Sequence, residues 1–117
     1  MLSFYYLKNC STCKRILKEL EISNSLGLVD VKNKPINNTD LEFLKSLSGS
    51  YEALFSKKAQ LYKKRNLKDQ NLSEDDFKKL ILEHYTFLKR PVLVFDKKIF
   101  IGNSPKVVEQ AKNIING

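Results

Sequence analysis

The sequence predicts an α/β fold in which a βαβ unit opens the chain, a β-hairpin and a helix close it, and a helical segment lies between them. Two short apolar stretches, LSFYYL at 2–7 and GLVDVK at 27–32, are joined by a connection long enough for a parallel pair with a crossover helix. Between residues 39 and 87 the apolar spacing turns helical. PVLVFD and KIFIG then flank Asp96-Lys97-Lys98 at hairpin spacing.

The first strand is short and aromatic and ends at Lys8-Asn9. A helix follows from about Cys10, with Cys13, Ile16, Leu17 and Leu20 at i, i+3, i+4 and i+7 on one face. GLVDVK supplies the second strand. After NKPINN, Thr39 followed three places later by Glu42 is a capping-box signature. It opens a helix that carries Leu41, Phe43, Leu44 and Leu47 and stops at Gly49. A second helix is expected from Tyr51 to about Leu67. A third is expected from Ser73 to about Phe87, because Ser73 is a good cap and the acids at 74–76 suit the positive end of the helix dipole. Ser104 as N-cap and Pro105 at the first helical position open the last helix, with Val107, Val108, Ala111, Ile114 and Ile115 as its stripe. The order of elements, βαβ then helices then ββα, is that of a thioredoxin-like fold with an inserted three-helix subdomain. The chain 1–117 is thus expected to be one domain, with a core of about 1–36 and 88–117 and a helical insertion of about 39–87.

At 117 residues the chain can bury a core without disulfide or metal staples, and 42% hydrophobic with 29% charged residues argues against disorder. No apolar run approaches a membrane span, and MLSFYYL lacks the basic start and the length of a signal peptide. A cytoplasmic protein with no membrane partner is expected. The formal net charge is +8, but apart from KKAQLYKKR the lysines are scattered, with no RNA-binding aromatic signature and no helix-turn-helix. The charge reads as a solvated surface, and no direct nucleic-acid partner is expected.

The chain holds two cysteines, Cys10 and Cys13, where strand gives way to helix. A compartment that keeps thiols reduced makes a structural staple an unsuitable reading. Positions i and i+3 share a helical face and lie within reach of a disulfide. Cys13 continues the apolar stripe, whereas Cys10 sits at the helix tip, where unpaired amides and the dipole favour an anion. Lys14 and Arg15 add positive charge. The thiolate is the reactive species, so Cys10 is the expected nucleophile and Cys13 the resolving thiol. A zinc site needs four ligands, and two cysteines with one distant histidine do not supply them, so no metal is expected. Inert buried cysteines are the plain alternative. A C-x-x-C that follows the first strand of a βαβ unit favours redox chemistry over it.

Lys58 falls on the stripe Tyr51, Leu54, Phe55 and Tyr62 of the expected middle helix. A cation there either snorkels to solvent or faces the Cys10 thiolate or an anion beside it. His84, in line with Phe77, Leu80, Ile81 and Leu88, reads as a hydrogen-bonded core residue, with acid–base chemistry as the alternative. Arg90 precedes Pro91 at the start of a strand, where a proline need not donate to the ladder, and the isomer of the bond is open.

Together, the C-x-x-C after a short strand, LFSKKAQLYKKRNL, LEHYTFLKRPVLVFDKK and IGNSPKVVEQ resemble the arsenate reductase (ArsC)/Spx family over nearly the whole chain. The resemblance implies the thioredoxin-like fold with its helical insertion, a reactive Cys10, and a cis Pro91 packed opposite the cysteines. It also implies that Arg90 binds an oxyanion bonded to the nucleophilic sulfur, a task that suits the donor fork of a guanidinium. Lys58, Ser11 and Thr12 join Arg90 and Pro91 as candidate anion-binding or supporting residues. Arsenate reductases of the family resemble a Cys-x-x-Ser arrangement, use glutathione and glutaredoxin, and hold the oxyanion with three arginines. Here Cys13 stands in place of the serine, and of the three arginines only Arg90 has a counterpart. The other two positions fall near Ser56, beside Lys57 and Lys58, and around Gly102 and Asn103. The cysteine pair, Lys58 and the IGN end look more like the Spx-type branch, whose members use the pair as a thiol/disulfide switch and bind RNA polymerase.

The expected function is therefore a thiol–disulfide oxidoreductase acting on a small-molecule oxyanion or a protein disulfide. No bound cofactor is expected, with glutathione/glutaredoxin or thioredoxin as electron donor. The alternatives are a Spx-like redox-sensing regulator that binds RNA polymerase and an arsenate reductase using a thiol donor. A monomer is expected.

Overall fold

The computed structural model describes residues 2–20 and 27–116. In chain order the elements are β1 (Leu2–Tyr6), α1 (Ser11–Glu19), β2 (Leu28–Asp30), α2 (Asn38–Ser48), α3 (Gln60–Lys64), α4 (Glu74–Glu83), β3 (Val92–Phe95), β4 (Lys98–Ile101) and α5 (Pro105–Asn116). Single 3₁₀ turns lie at Glu52–Leu54, Leu67–Asp69 and Tyr85–Phe87. The chain divides into two compact units, one of Met1–Lys34 with Arg90–Gly117 and one of Pro35–Lys89.

The first unit holds a four-stranded sheet in the order β2-β1-β3-β4. β1 runs parallel to β2 and antiparallel to β3, and β3 and β4 form the hairpin. VLVF is apolar at every position because β3 is an inner strand, and Val92, Leu93 and Val94 are buried. Phe4 of β1 stands opposite Leu93 of β3, so the two side chains share a face. They pack with Ile16 of α1 and Leu20 at its C-cap, and with Val108 and Ala111 of α5, the stripes expected from the helical spacing. Gly27 enters β2 at φ 99°, its carbonyl accepting from the Phe4 amide at 2.7 Å, and any side chain there would run into the Leu2 carbonyl oxygen. β2 is shorter than GLVDVK suggests. The Asp30 carboxylate accepts from the Lys32 amide at 3.3 Å and from the Asn33 side chain at 2.9 Å, and these local bonds turn the backbone out of the ladder. The hairpin loop is Asp96–Lys97, with Phe95 paired to Lys98 and Asp96 at φ 56°.

The second unit is helical, and here the structure corrects the expected elements. The helix expected from Tyr51 to about Leu67 is three short pieces. Phe55 is extended, at φ −88° and ψ 131°, and bridges antiparallel to Leu88. The Ser56 amide donates to the Phe87 carbonyl and the Lys89 amide to the Leu54 carbonyl, both at 2.8 Å. Backbone groups that a helix would have used internally are thus spent on a distant segment. The Phe55 ring stacks on Phe87 at 5.3 Å, lies 4.8 Å from Phe77 and meets Tyr62 edge-on at 5.8 Å. Leu41, Leu44, Leu54, Ile81 and Leu88 are buried in the same unit.

Caps explain the remaining boundaries. α2 is capped by Asn37, whose side chain accepts from the Asp40 amide at 2.8 Å, so Thr39 lies inside the first turn rather than at the cap. Glu42 accepts from the Asn38 side chain at 2.7 Å instead of completing a box with Thr39. Ser73 does form a capping box: its hydroxyl accepts from the Asp76 amide at 3.3 Å while Asp76 accepts from the Ser73 amide at 2.9 Å. The Ser73 amide and hydroxyl hold the Asp76 carboxyl below its ordinary range, so this contribution is present at neutral pH and lost as acid protonates Asp76. Ser73→Ala is expected to cost about 1 kcal/mol, or roughly 4 °C of melting temperature, read by circular dichroism. α4 ends at Glu83 rather than near Phe87, because His84 is extended and its Nδ1 accepts from the Thr86 amide at 3.1 Å. His84 is half-buried and hydrogen-bonded, stacked on Tyr85 at 4.6 Å.

Candidate active site

The thiol segment lies where β1 passes into α1. Parallel pairing of β1 with β2 carries the chain to Tyr6, and a turn then closes with the Cys10 amide donating to the Leu7 carbonyl at 3.0 Å. Cys10 is the N-cap of α1, extended at φ −89° and ψ 117°, and its carbonyl accepts from the Lys14 amide at 3.0 Å. It is therefore one residue outside the helix. Both cysteines are free thiols, Cys10 partly exposed and Cys13 1% exposed within the apolar stripe.

Their environments drive the two thiols apart. Burial opposes ionisation of Cys10, but the Cys13 amide, the Cys13 thiol, the Thr12 amide and the Arg90 charge outweigh it, so Cys10 lies below its ordinary value. Burial pushes Cys13 up to about 11; the Leu7 amide opposes this, the hydrogen bond and charge of Cys10 add to it, and Arg90 offsets a little. A helix N-terminus thus serves one sulfur as a donor nest while the apolar stripe keeps the other protonated.

Of the residues expected from sequence, Cys10, Ser11, Thr12, Cys13, Arg90 and Pro91 all belong to the sheet-bearing unit. Ser11 is exposed at the first position of α1, and Thr12 contributes through its backbone. Arg90 is half-buried and acts electrostatically on both sulfurs. The Arg90–Pro91 bond is cis, Pro91 is buried, and its carbonyl accepts from the Gly102 amide at 2.9 Å. Lys58 belongs to Pro35–Lys89, exposed in a turn before α3. The helical stripe that placed it on an apolar face does not exist. Sequence reasoning missed Leu7, whose carbonyl and amide serve Cys10 and Cys13 in turn. Backbone groups carry no signal in a side-chain pattern.

A sequence model of the ArsC family matches residues 5–111. The chain belongs to the ArsC family. This ArsC-family protein is 29% identical over 107 residues to global transcriptional regulator Spx 2 of Bacillus anthracis, covering 87% of this chain and 79% of that one. It is 26% identical over 107 residues to an arsenate reductase of Haemophilus influenzae, covering 89% of this chain and 92% of that one. Among solved structures, the putative arsenate reductase from Yersinia pestis matches with a TM-score of 0.78 at 25% identity, over 94% of this chain and 99% of that one. The α/β fold of the ArsC protein is thioredoxin-like, as the order of its elements implied. Among the described residues no group of three or more His, Cys, Asp or Glu is placed to hold a metal ion, and no helix is long and apolar enough to cross a membrane.

Proposed function

We propose that this ArsC-family protein is a thiol–disulfide oxidoreductase with Cys10 as nucleophile and Cys13 as resolving thiol. The supporting observation is the opposed ionisation of two thiols that share a hydrogen bond, one lowered and the other at about 11. The Cys10 thiolate attacks one sulfur of a substrate disulfide, forms a mixed disulfide and expels the other sulfur as a thiolate. Cys10 then has no charge to repel a second anion, so two of the influences that raise Cys13 disappear. Cys13 loses its proton to solvent, attacks the Cys10 sulfur, and releases the remaining substrate half as a thiolate. The product is a Cys10–Cys13 disulfide, which glutathione with glutaredoxin, or thioredoxin, reduces by two electrons in the cytoplasm. With an oxyanion substrate, Arg90 steadies the oxygens, supported by Ser11, Thr12 and Pro91.

Alkylation by iodoacetamide tests the assignment. At pH 7 Cys10 is expected to react at least about tenfold faster than Cys13, since the thiolate is the reacting form. The Cys10 rate should level off at lower pH than an ordinary thiol, and the Cys13 rate should keep rising toward pH 11. Two superimposable profiles in the ordinary thiol range would count against it.

The relatives named Spx favour a second reading, in which the same dithiol senses oxidation and alters affinity for RNA polymerase. Retention of polymerase by the immobilised chain in only one redox state would support it, and no retention in either would exclude it. The arsenate reductase relatives favour a third. Its test is arsenate-dependent oxidation of glutathione that disappears in Cys10→Ser.

A further inference from the structure

Asp30 ends β2 directly opposite Tyr6, the last residue of β1 before the thiol segment. Its carboxylate gathers three donors from two parts of the chain. Oδ1 accepts from the Lys32 amide at 3.3 Å and from the Lys8 amide at 3.4 Å, and Oδ2 accepts from the Asn33 side chain at 2.9 Å. Beside it the Val31 amide donates to the Tyr6 carbonyl at 3.0 Å. The segment that leads to the sulfurs is therefore fastened to the end of β2 at two neighbouring points.

The second fastening has a specific geometry. The Lys8 N–H and the Leu7 C=O belong to one planar peptide group. Its N–H end is held by Asp30, and its carbonyl accepts from the Cys10 amide at 3.0 Å. Turning that plane would break the bond that seats Cys10 at the tip of α1, while the Leu7 amide that serves Cys13 belongs to the preceding Tyr6–Leu7 peptide group, whose carbonyl the Val31 amide holds.

We propose that Asp30 is a positioning residue for the thiol pair, fixing the Leu7–Lys8 peptide plane from which Cys10 hangs. The inference rests on the reading of Cys10 as the nucleophile. Position and charge make opposite demands, which separates them. A carboxylate acting only through its charge would disfavour a thiolate, whereas one acting through the Lys8 amide favours it. The charged groups flanking the clamp are Lys8 and Lys32, both exposed, and the cation acting on the sulfurs is Arg90.

Asp30→Ala is expected to slow alkylation of Cys10 at pH 7 about fivefold, the scale of one lost hydrogen bond, with the inflection of the profile moved to higher pH. Asp30→Asn, which keeps an acceptor oxygen for Lys8, should recover most of the rate. An unchanged or faster rate in Asp30→Ala, or equal loss in both variants, overturns the proposal. Amide exchange in the unmodified chain needs no variant to fold: the Lys8 amide should be protected, and exchange at the rate of a free peptide overturns the proposal as well. An ordinary Cys10 profile in the unmodified chain beside a protected Lys8 amide would instead sink the nucleophile assignment.

Discussion

Cys13→Ser is expected to halt the proposed reaction half-way, leaving the substrate disulfide-bonded to Cys10. The variant keeps the helix, the donors of the Thr12 and residue 13 amides, and the Arg90 charge, all of which favour the Cys10 thiolate. It removes the thiol that would expel the bound half. Mass spectrometry after exposure to an oxidised substrate should show an adduct on Cys10 that persists until an external thiol is added. Cys10→Ser should remove turnover by at least about a thousandfold, because a hydroxyl in the same place stays protonated at neutral pH. Turnover that survives in Cys10→Ser, or no adduct in Cys13→Ser, would defeat the assignment.

Phe55→Ala is expected to be the most damaging single change in Pro35–Lys89. The ring is 1% exposed and touches three other aromatic rings, while its backbone carries the bridge to Leu88. Removing it forfeits the transfer of a whole aromatic side chain and leaves a cavity bounded by Phe77 and Phe87, a loss of about 4 kcal/mol and roughly 15 °C in melting temperature. Phe43 is the control, because it is 49% exposed on α2 and Phe43→Ala should change stability by no more than about 0.5 kcal/mol. Similar melting temperatures for the two variants would show that the aromatic cluster does not hold this unit together.

The contrast between Cys13 and Lys58 shows what could be read from sequence. Cys13 obeys a short-range rule, since Ile16, Leu17 and Leu20 fix the buried face of α1 whatever the rest of the chain does. Ser73 and Ser104 were legible for the same reason: each cap is settled within three residues, and the Val107 amide does donate to Ser104 Oγ at 3.2 Å. The position of Lys58 on an apolar face follows only if a helical period runs through Phe55, and a bridge to a segment far along the chain breaks that period. No local pattern announces such a bridge. The expected cap Thr39 gives way to Asn37, a residue of equally good capping type two places earlier, because backbone conformation decides where the helix starts. At the thiols the residue types and the helix-tip amides that serve Cys10, those of Thr12 and Cys13, are readable, whereas the Leu7 amide that serves Cys13 is not, because it comes from the chain before the helix. Arg90 and the cis bond after it came from family resemblance rather than from any pattern within the chain.

The sheet around the sulfurs is assembled from segments on either side of Pro35–Lys89, β1 pairing with β3 only after all of that stretch has been made. A nascent chain emerging from the ribosome presents Cys10 and Cys13 early, but Phe4, Ile16 and Leu20 must wait for Leu93, Val108 and Ala111 before they have anything to pack against. The guanidinium of Arg90 comes equally late. A chain not yet extended through α5 therefore lacks both the packing around the thiol segment and the Arg90 charge that acts on the two sulfurs.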